Sequence, residues 1–455
     1  MIVFLLSPDI IEYMRAVSVF LAIILVTATV AGAVPVASIG DAQTSGKSIS
    51  QINQEGSGPI LSTLGISPVE VQRSALQTTY VELGRGLEFA SIATETRIQT
   101  ETTLNRIQSA STPSVRQQRL LQALSETEQR IVILRSQQRT QISAYGDENV
   151  TTEEFLARLA AIDTESRALI ARLSRLESAA NSIDGFSIPA SRFETLRIEL
   201  RTLTSPVRKH ATEVITGTTE RSRFVIQSGP QSVVVGTLIN DAYVREAYRG
   251  RLRGTNVGTE LNITTPTNVT TEAYPTITSL RRERAVTAPE GPITRVRINH
   301  DRGRLVSFIH TSNTRIFKEI QHRPLAQTST RRSLSAVKDG LRLTAHPTYP
   351  GGPVRFQLNS TATEQPVDAP LTLGPPSGES TIVGETGSDG SLWTLAPDGT
   401  YQVTAIDRNS VVLVSIDPSF PPLIYGAVGN STRENSTETG VNDAGSNVRV
   451  SGGDS

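Results

Sequence analysis

The feature of this chain that most constrains its fold is a change in the spacing of its apolar residues near residue 222. From Phe155 to Leu176, apolar or small residues recur at alternating steps of four and three, as in the buried seam of packed helices. After residue 222, short apolar runs and alternating segments are bounded by glycine and proline, which is typical of strands. The chain of 455 residues therefore combines a helical region with β-rich regions and is long enough for several domains.

The helical pattern predicts an antiparallel coiled coil or small helical bundle over residues 68–215. Breaks at Pro113, at residues 145–149 and at residues 184–189 divide the pattern into about four helices, too short for one long rod. Ser205 followed by Pro206 predicts a further helix start. The seam is expected to pack within the chain, and a docking face for another protein is the alternative. Its positions are Leu76, Tyr80, Leu83, Leu87, Ala90, Leu120, Leu124, Ile131, Leu134, Phe155, Leu159, Ile162, Ser166, Leu169, Leu173, Leu176, Phe193, Leu196, Leu200 and Leu203.

Two β-rich regions follow the helices. Residues 216–338 predict a small α+β module whose clearest element is a hairpin with strands at 293–299 and 304–310. Residues 339–425 predict an immunoglobulin-like β-sandwich, with strands at 341–345, 354–358, 391–395, 401–405 and 411–416. Trp393, the one tryptophan of the chain, is expected to fill the core of this sandwich, and a ligand platform is the alternative.

The N-terminal region predicts export. Residues 16–37 contain no charged side chain and follow Met14 and Arg15, which we interpret as the true start and the basic end of a signal peptide. Residues 1–33 are expected to be cleaved after Ala33 or retained as an anchor, since about 20 apolar residues can span a bilayer. Residues 34–67 are expected to form a flexible linker, and residues 426–455 a disordered tail. The protein is therefore expected to be extracellular or at the cell surface, touching the membrane only through its N-terminal segment.

Six Asn-x-Ser/Thr sequons are candidate glycosylation sites in an exported protein. They lie at Asn149, Asn262, Asn268, Asn359, Asn430 and Asn435.

The charged residues balance, with 44 basic and 44 acidic side chains, but the basic ones concentrate between residues 241 and 345. Two interpretations stay open: the arginines pair within the fold, with Glu246 and the acidic last domain, or they bind a cell-surface polyanion. Few aromatic residues accompany them, so nucleic acid is not an expected partner. The densest basic set is Arg245, Arg249, Arg251, Arg253, Arg281, Arg282 and Arg284.

The sequence predicts no catalytic, metal-binding or cofactor-binding residues. The chain has no cysteine, which excludes disulfides, thiol catalysis and cysteine-bound metals. Ser335 and Lys338 have the Ser-x-x-Lys spacing of penicillin-recognising enzymes, but the companion motifs are missing. We therefore expect a non-enzymatic protein without a cofactor.

Several segments resemble known families. Residues 386–405, with an Asp-Gly turn and a Pro-Asp-Gly-Thr-Tyr segment, resemble carboxypeptidase-regulatory-like and immunoglobulin-like exported domains, which implies a structural or adhesive role. The whole arrangement, including the segment 243–248, resembles an uncharacterised exported protein family of halophilic archaea. Residues 293–319 resemble PepSY-like modules, which implies the alternative function of a regulatory module that binds or inhibits an exported hydrolase through its hairpin.

Overall fold

The structure is a computed structural model that describes residues 59–254, 264–419 and 421–424. The strands are β1 (Thr63–Leu64), β2 (Arg73–Thr79), β3 (Ser222–Gly229), β4 (Ser232–Ile239), β5 (Ala242–Arg249), β6 (Val286–Glu290), β7 (Ile293–His300), β8 (Gly303–His310), β9 (Arg315–Pro324), β10 (Leu334–Lys338), β11 (Leu341–Pro347), β12 (Pro353–Ser360), β13 (Pro370–Gly374), β14 (Thr381–Glu385), β15 (Ser391–Leu395), β16 (Tyr401–Asp407), β17 (Ser410–Ile416) and β18 (Leu423–Ile424). The seven α-helices of these ranges are α1 (Leu83–Gln108), α2 (Pro113–Gly146), α3 (Thr152–Asn181), α4 (Ala190–Arg201), α5 (Pro206–Ile215), α6 (Thr264–Ala273) and α7 (Pro275–Ser279).

An antiparallel sheet of eight strands organises the first two thirds of the chain. Its order is β2-β3-β4-β5-β9-β8-β7-β6, so β5 and β9 are central strands. The predicted hairpin is confirmed as β7 and β8, joined by the turn at residues 300–303. Both strands are hydrogen-bonded on both sides, to β6 and β9.

Three long helices, α1 to α3, lie side by side over the sheet, followed by the shorter α4 and α5. The predicted breaks are confirmed, and the Ser205 hydroxyl caps α5 by accepting a hydrogen bond from the backbone N–H of Arg208. The seam positions of α3 are all buried, from Phe155 to Leu176. None of the helices in the described ranges has the length and apolar character that a membrane span requires.

The helical prediction is wrong for the first part of residues 68–215. Residues 73–79 form strand β2, which pairs with β3 at the edge of the sheet, and α1 begins only at Leu83. The side chains of Tyr80, Leu83 and Leu87 are exposed rather than part of a seam. The 4-3 spacing that begins at Leu76 was misleading because backbone pairing with β3 decides the local structure.

The predicted helical and α+β regions share one hydrophobic core. Phe89 of α1, Tyr145 of α2 and Phe155 of α3 belong to the same buried cluster as Phe224 and Val244 of the sheet. The two regions therefore fold as one layered unit rather than as separate domains.

The expected linker is also corrected by the structure where it is described. Residues 61–66 are buried and cross the face of the sheet opposite to α1–α5, and we call residues 59–66 the strap. The Leu64 N–H donates to Glu319 Oε2 and the Leu64 carbonyl accepts from Arg245 Nη2, both at 2.7 Å. Such a buried segment needs partners for its backbone polar groups, and buried charged side chains of the sheet supply them.

The last domain is a β-sandwich of two four-stranded antiparallel sheets, β10-β11-β12-β15 and β14-β13-β16-β17. The five predicted strands are confirmed as β11, β12, β15, β16 and β17. The sandwich packs on the central sheet: Tyr243 donates to the Gly351 carbonyl at 3.3 Å, and Gln227 donates to Asp398 at 2.8 Å. Strand β18, after the sandwich, pairs in parallel with β1 of the strap.

A buried ion cluster joins the central strands to the helices. Glu246 of β5 accepts from Arg208 Nη2 of α5 at 2.8 Å and from Lys318 Nζ of β9 at 2.9 Å. All three side chains are at most 1% exposed. Burial favours the neutral form of Glu246, but the charges of Arg208 and Lys318 outweigh it and lower the pKa of Glu246 to about 2.

The Glu246→Gln variant is expected to lower the free energy of unfolding by about 3–5 kcal/mol, because two buried cations lose their anion. Since the pKa of Glu246 is lowered in the folded state, its contribution is complete above pH 4.5 and is lost as the pH falls towards about 2. Denaturant unfolding between pH 2 and 7 measures both effects. Glu364→Gln, at an exposed pair with Arg342, is the control and should change little.

The Leu64→Pro variant is expected to unfold more easily than Leu64→Ala by about 1–3 kcal/mol. Both variants lose the buried leucine side chain, but only proline also removes the backbone N–H that donates a hydrogen bond to Glu319. Equal unfolding free energies of the two variants, measured by denaturant titration, would contradict the role given to this hydrogen bond.

Candidate binding pocket in the helical layer

The helical layer contains a cavity of about 340 Å³ where α1, α2 and α3 meet. Each helix contributes one stripe of side chains at helical spacing, so the cavity is a property of the bundle and not of a loop. The lining residues are Ile92, Glu95, Thr96 and Gln99 from α1, Glu126, Thr127 and Arg130 from α2, and Glu165, Leu169 and Arg172 from α3.

The cavity exists because threonines replace large apolar residues at buried positions. Thr96 and Thr127 are 7% and 2% exposed, and each hydroxyl donates to the carbonyl four residues earlier in its own helix. These short side chains leave space that leucine at the same positions would fill. Because their hydrogens point to the helix backbone, the hydroxyl oxygens keep lone pairs that can accept hydrogen bonds.

Arg172 is the buried charge of the pocket. The residue is 6% exposed, its Nη2 donates to Glu126 at 3.4 Å, and its buried Nε has no hydrogen-bond partner among the described residues. Burial lowers the pKa of the Arg172 guanidinium. A buried donor without a partner is costly, so an acceptor oxygen placed against this N–H would be favourable.

The remaining charged groups differ in how they are engaged. Arg130 forms a two-point pair with Glu165, with Nη2 at 2.8 Å from Oε2. Among the described residues, Glu95 accepts a hydrogen bond only from the side-chain amide of Gln99, at 3.0 Å. The half-exposed Glu126 accepts from the side-chain amide of Gln122 at 3.2 Å and from Arg172 at 3.4 Å. Glu95 and Glu126 are therefore the carboxylates best able to accept a ligand's cation.

Sequence reasoning missed this pocket. The predicted seam stopped at Ala90 and resumed at Leu120, so the buried stripe with Thr96 and Thr100 in α1 was not identified. The available signal was a polar interruption of that stripe between Phe89 and Leu104.

The predicted polyanion-binding arginines are not brought together as one surface. Arg245, Arg249 and Arg253 are buried, and they pair with Glu319, Glu70 and Glu199, respectively. As binding residues these three are a wrong prediction, because strand β5 and the turn after it lie inside the fold. They pair within the fold, as the other interpretation expected, but their partners are neither Glu246, which pairs with Arg208, nor acidic residues of the last domain.

The other four arginines of the set are exposed: Arg251, Arg281, Arg282 and Arg284. Arg282 pairs with Asp301 at 2.8 Å. Polyanion binding by these four stays a prediction.

The sequons differ in accessibility. Asn149 and Asn268 are exposed, and Asn359 is half-buried in β12. Asn262, Asn430 and Asn435 lie outside the described residues, as do the predicted signal peptide or anchor and the predicted tail.

Comparisons with known families match three successive stretches of the chain. Residues 332–414, which contain seven of the eight sandwich strands and most of β17, match the model of an archaeal fibronectin-III type-like domain. The C-terminal domain is therefore similar to archaeal fibronectin-III type-like domains, and we call it the fibronectin-III-like domain. This supports an archaeal protein with an immunoglobulin-like C-terminal domain.

Two further models match the region before the fibronectin-III-like domain. Residues 14–220 match a domain of unknown function, DUF7096, and residues 224–329 match a family of unknown function, DUF7094. The chain matches no curated protein and no solved structure.

The Arg172→Met variant is expected to keep or raise the free energy of unfolding, by up to about 4 kcal/mol, because methionine fills the site without an unpaired buried N–H. Arg197→Met is the control: Arg197 is 9% exposed but hydrogen-bonds to Glu177 and Glu194, so its loss should destabilise by about 1 kcal/mol. Denaturant unfolding measures both. A loss of several kcal/mol in Arg172→Met would show that Arg172 serves stability rather than binding.

Proposed function

We propose that the protein is a non-enzymatic, exported structural and interaction protein, at the cell surface or secreted, that binds a small zwitterion in its helical layer. The single observation that carries the binding role is the buried, incompletely paired Arg172 in a cavity of about 340 Å³. That volume lies within the range of small-molecule sites, roughly 300–1,000 Å³.

The charge pattern of the lining residues selects the ligand class. A ligand carboxylate suits the guanidinium of Arg172, whose Nε has no partner among the described residues, because guanidinium and carboxylate form charge-assisted hydrogen bonds. A ligand ammonium suits Glu95 and Glu126, which are not held by a two-point pair. The lining has three carboxylates and two guanidinium groups, so a ligand without a cation would meet an unfavourable excess of negative charge. An amino acid or short peptide carries both groups.

The structural part of the proposal rests on how the layers are joined. The strap, the central sheet and the helices share one core, and the sandwich hydrogen-bonds to the sheet. We further propose that α1–α3 pack as an antiparallel coiled coil, since the 4-3 seam of α3 is buried throughout. Two ion pairs join α2 to α3, Glu126 with Arg172 and Arg130 with Glu165, so the chain direction of α3 is opposite to that of α2. The uncharged segment at residues 16–37 supports export.

Calorimetric titration of the full chain with glycyl-leucine tests the binding role. We expect saturable binding that weakens at least tenfold for the N-acetylated peptide and for the peptide amide, because each lacks one of the two charges. Arg172→Met should weaken binding of glycyl-leucine at least tenfold. Arg175→Gln, which removes an exposed arginine of α3 that pairs with Glu101 outside the pocket, should bind as the wild type does.

Two results would overturn the binding role. One is the absence of binding by glycyl-leucine and by each of the twenty amino acids at millimolar concentration. The other is equal binding by the wild type and Arg172→Met.

A further inference from the structure

A second cleft, of about 220 Å³, lies between the edge of the central sheet and the fibronectin-III-like domain. Strands β2, β3 and β4 form one wall and strands β14 and β15 the other. Its lining includes Tyr80, Arg221, Arg223, Leu238, Ile382 and Trp393. The cleft is separate from the helical pocket, and no residue lines both.

Two arginines in this cleft lack an anionic partner. Arg223 donates only to neutral oxygens: Thr394 Oγ1 at 3.1 Å, the Ile382 carbonyl at 3.3 Å and Thr78 Oγ1 at 3.5 Å. Among the described residues, no carboxylate lies within ion-pair distance of Arg221 or Arg223. Burial lowers the pKa of Arg223, and the neighbouring charge of Arg221 adds to this effect.

Other buried arginines of the sheet are paired with carboxylates, although Arg323 of β9 donates to Gln321 and Tyr349. Arg208 and Arg245, which are buried on the two faces of the same sheet, each contact a glutamate at 2.8 Å or less. Two adjacent cations line this cleft, and no described carboxylate lies within ion-pair distance of either, so the cleft suits an anionic group.

Aromatic rings flank the arginines. Tyr80 is 55% exposed, and Trp393 is half-buried rather than in the sandwich core where the sequence placed it. Tyrosine and tryptophan combine a broad apolar face with a polar edge, so they suit a ligand that presents both ring C–H groups and hydroxyls. A pyranose ring presents both kinds of group, and a carboxylate on that ring could form an ion pair with the arginines.

We propose that this cleft binds an acidic saccharide, with its ring against Trp393 and Tyr80 and its carboxylate on Arg221 and Arg223. The neutral acceptors of Thr78, Ser222 and Thr394 at the cleft wall can hydrogen-bond to sugar hydroxyls. The proposal is independent of the zwitterion pocket, since neither needs the other to be occupied.

Because Trp393 is the only tryptophan, the intrinsic fluorescence of the full chain reports directly on this cleft. Titration with trigalacturonate is expected to change the tryptophan emission saturably. Its methyl ester, which has the same rings without charge, should bind at least tenfold more weakly, and citrate, which has the charge without rings, should also bind at least tenfold more weakly. Equal binding by the ester or by citrate, or no response to trigalacturonate, overturns the proposal.

Matched variants separate specific binding from a general charge effect. Arg221→Gln, at an exposed residue, should weaken trigalacturonate binding at least tenfold, and Tyr80→Ala should weaken it severalfold. Arg175→Gln removes the same charge from an exposed site outside the cleft and should leave binding unchanged. Thermal unfolding checks that each variant is folded. Equal losses in Arg221→Gln and Arg175→Gln would show non-specific attraction and contradict the proposal.

Discussion

The architecture depends on ion pairs buried on both faces of two central strands. Neighbouring residues of a strand point to opposite faces, so Glu246 meets Arg208 of the helical layer while Arg245 meets Glu319 and the strap. An unpaired buried charge costs several kcal/mol. Neither the helical layer nor the strap can therefore separate from the sheet without leaving some of these charges unpaired or exposed to solvent. The pairs therefore specify which segments cover the sheet, and the apolar core fills the remaining space.

The periodic parts of the fold could be predicted from the sequence, and the parts fixed by distant partners could not. The seam of α3, the cap at Ser205 and the β7–β8 hairpin follow from local spacing and turn residues. Strand β2 and the strap do not, because their structures depend on pairing with β3 and with Glu319 and Arg245 from far along the chain. A glycine- and serine-rich composition suggested a linker, but composition does not show what a segment packs against.

The candidate sites were harder to predict for a related reason. Clustering of arginines along the sequence drew attention to Arg245, Arg249 and Arg253, whose glutamate partners are distant in sequence and leave them buried. The informative arginines are instead Arg172, whose buried Nε has no partner among the described residues, and Arg223, which has no described carboxylate within ion-pair distance. An unpaired buried donor is visible in a structure, while the sequence records only the residue type.

The parallel pairing of β1 with β18 has a mechanical consequence. Tension applied at Pro59 would act along the strap, so the hydrogen bonds of Thr63 to Pro422, of Leu64 to Glu319 and of Gly65 to Ile424 would be loaded together in shear. Bonds loaded in parallel share a force, whereas bonds peeled one after another each carry all of it. The strap is thus attached in a geometry that loads these hydrogen bonds together rather than one after another.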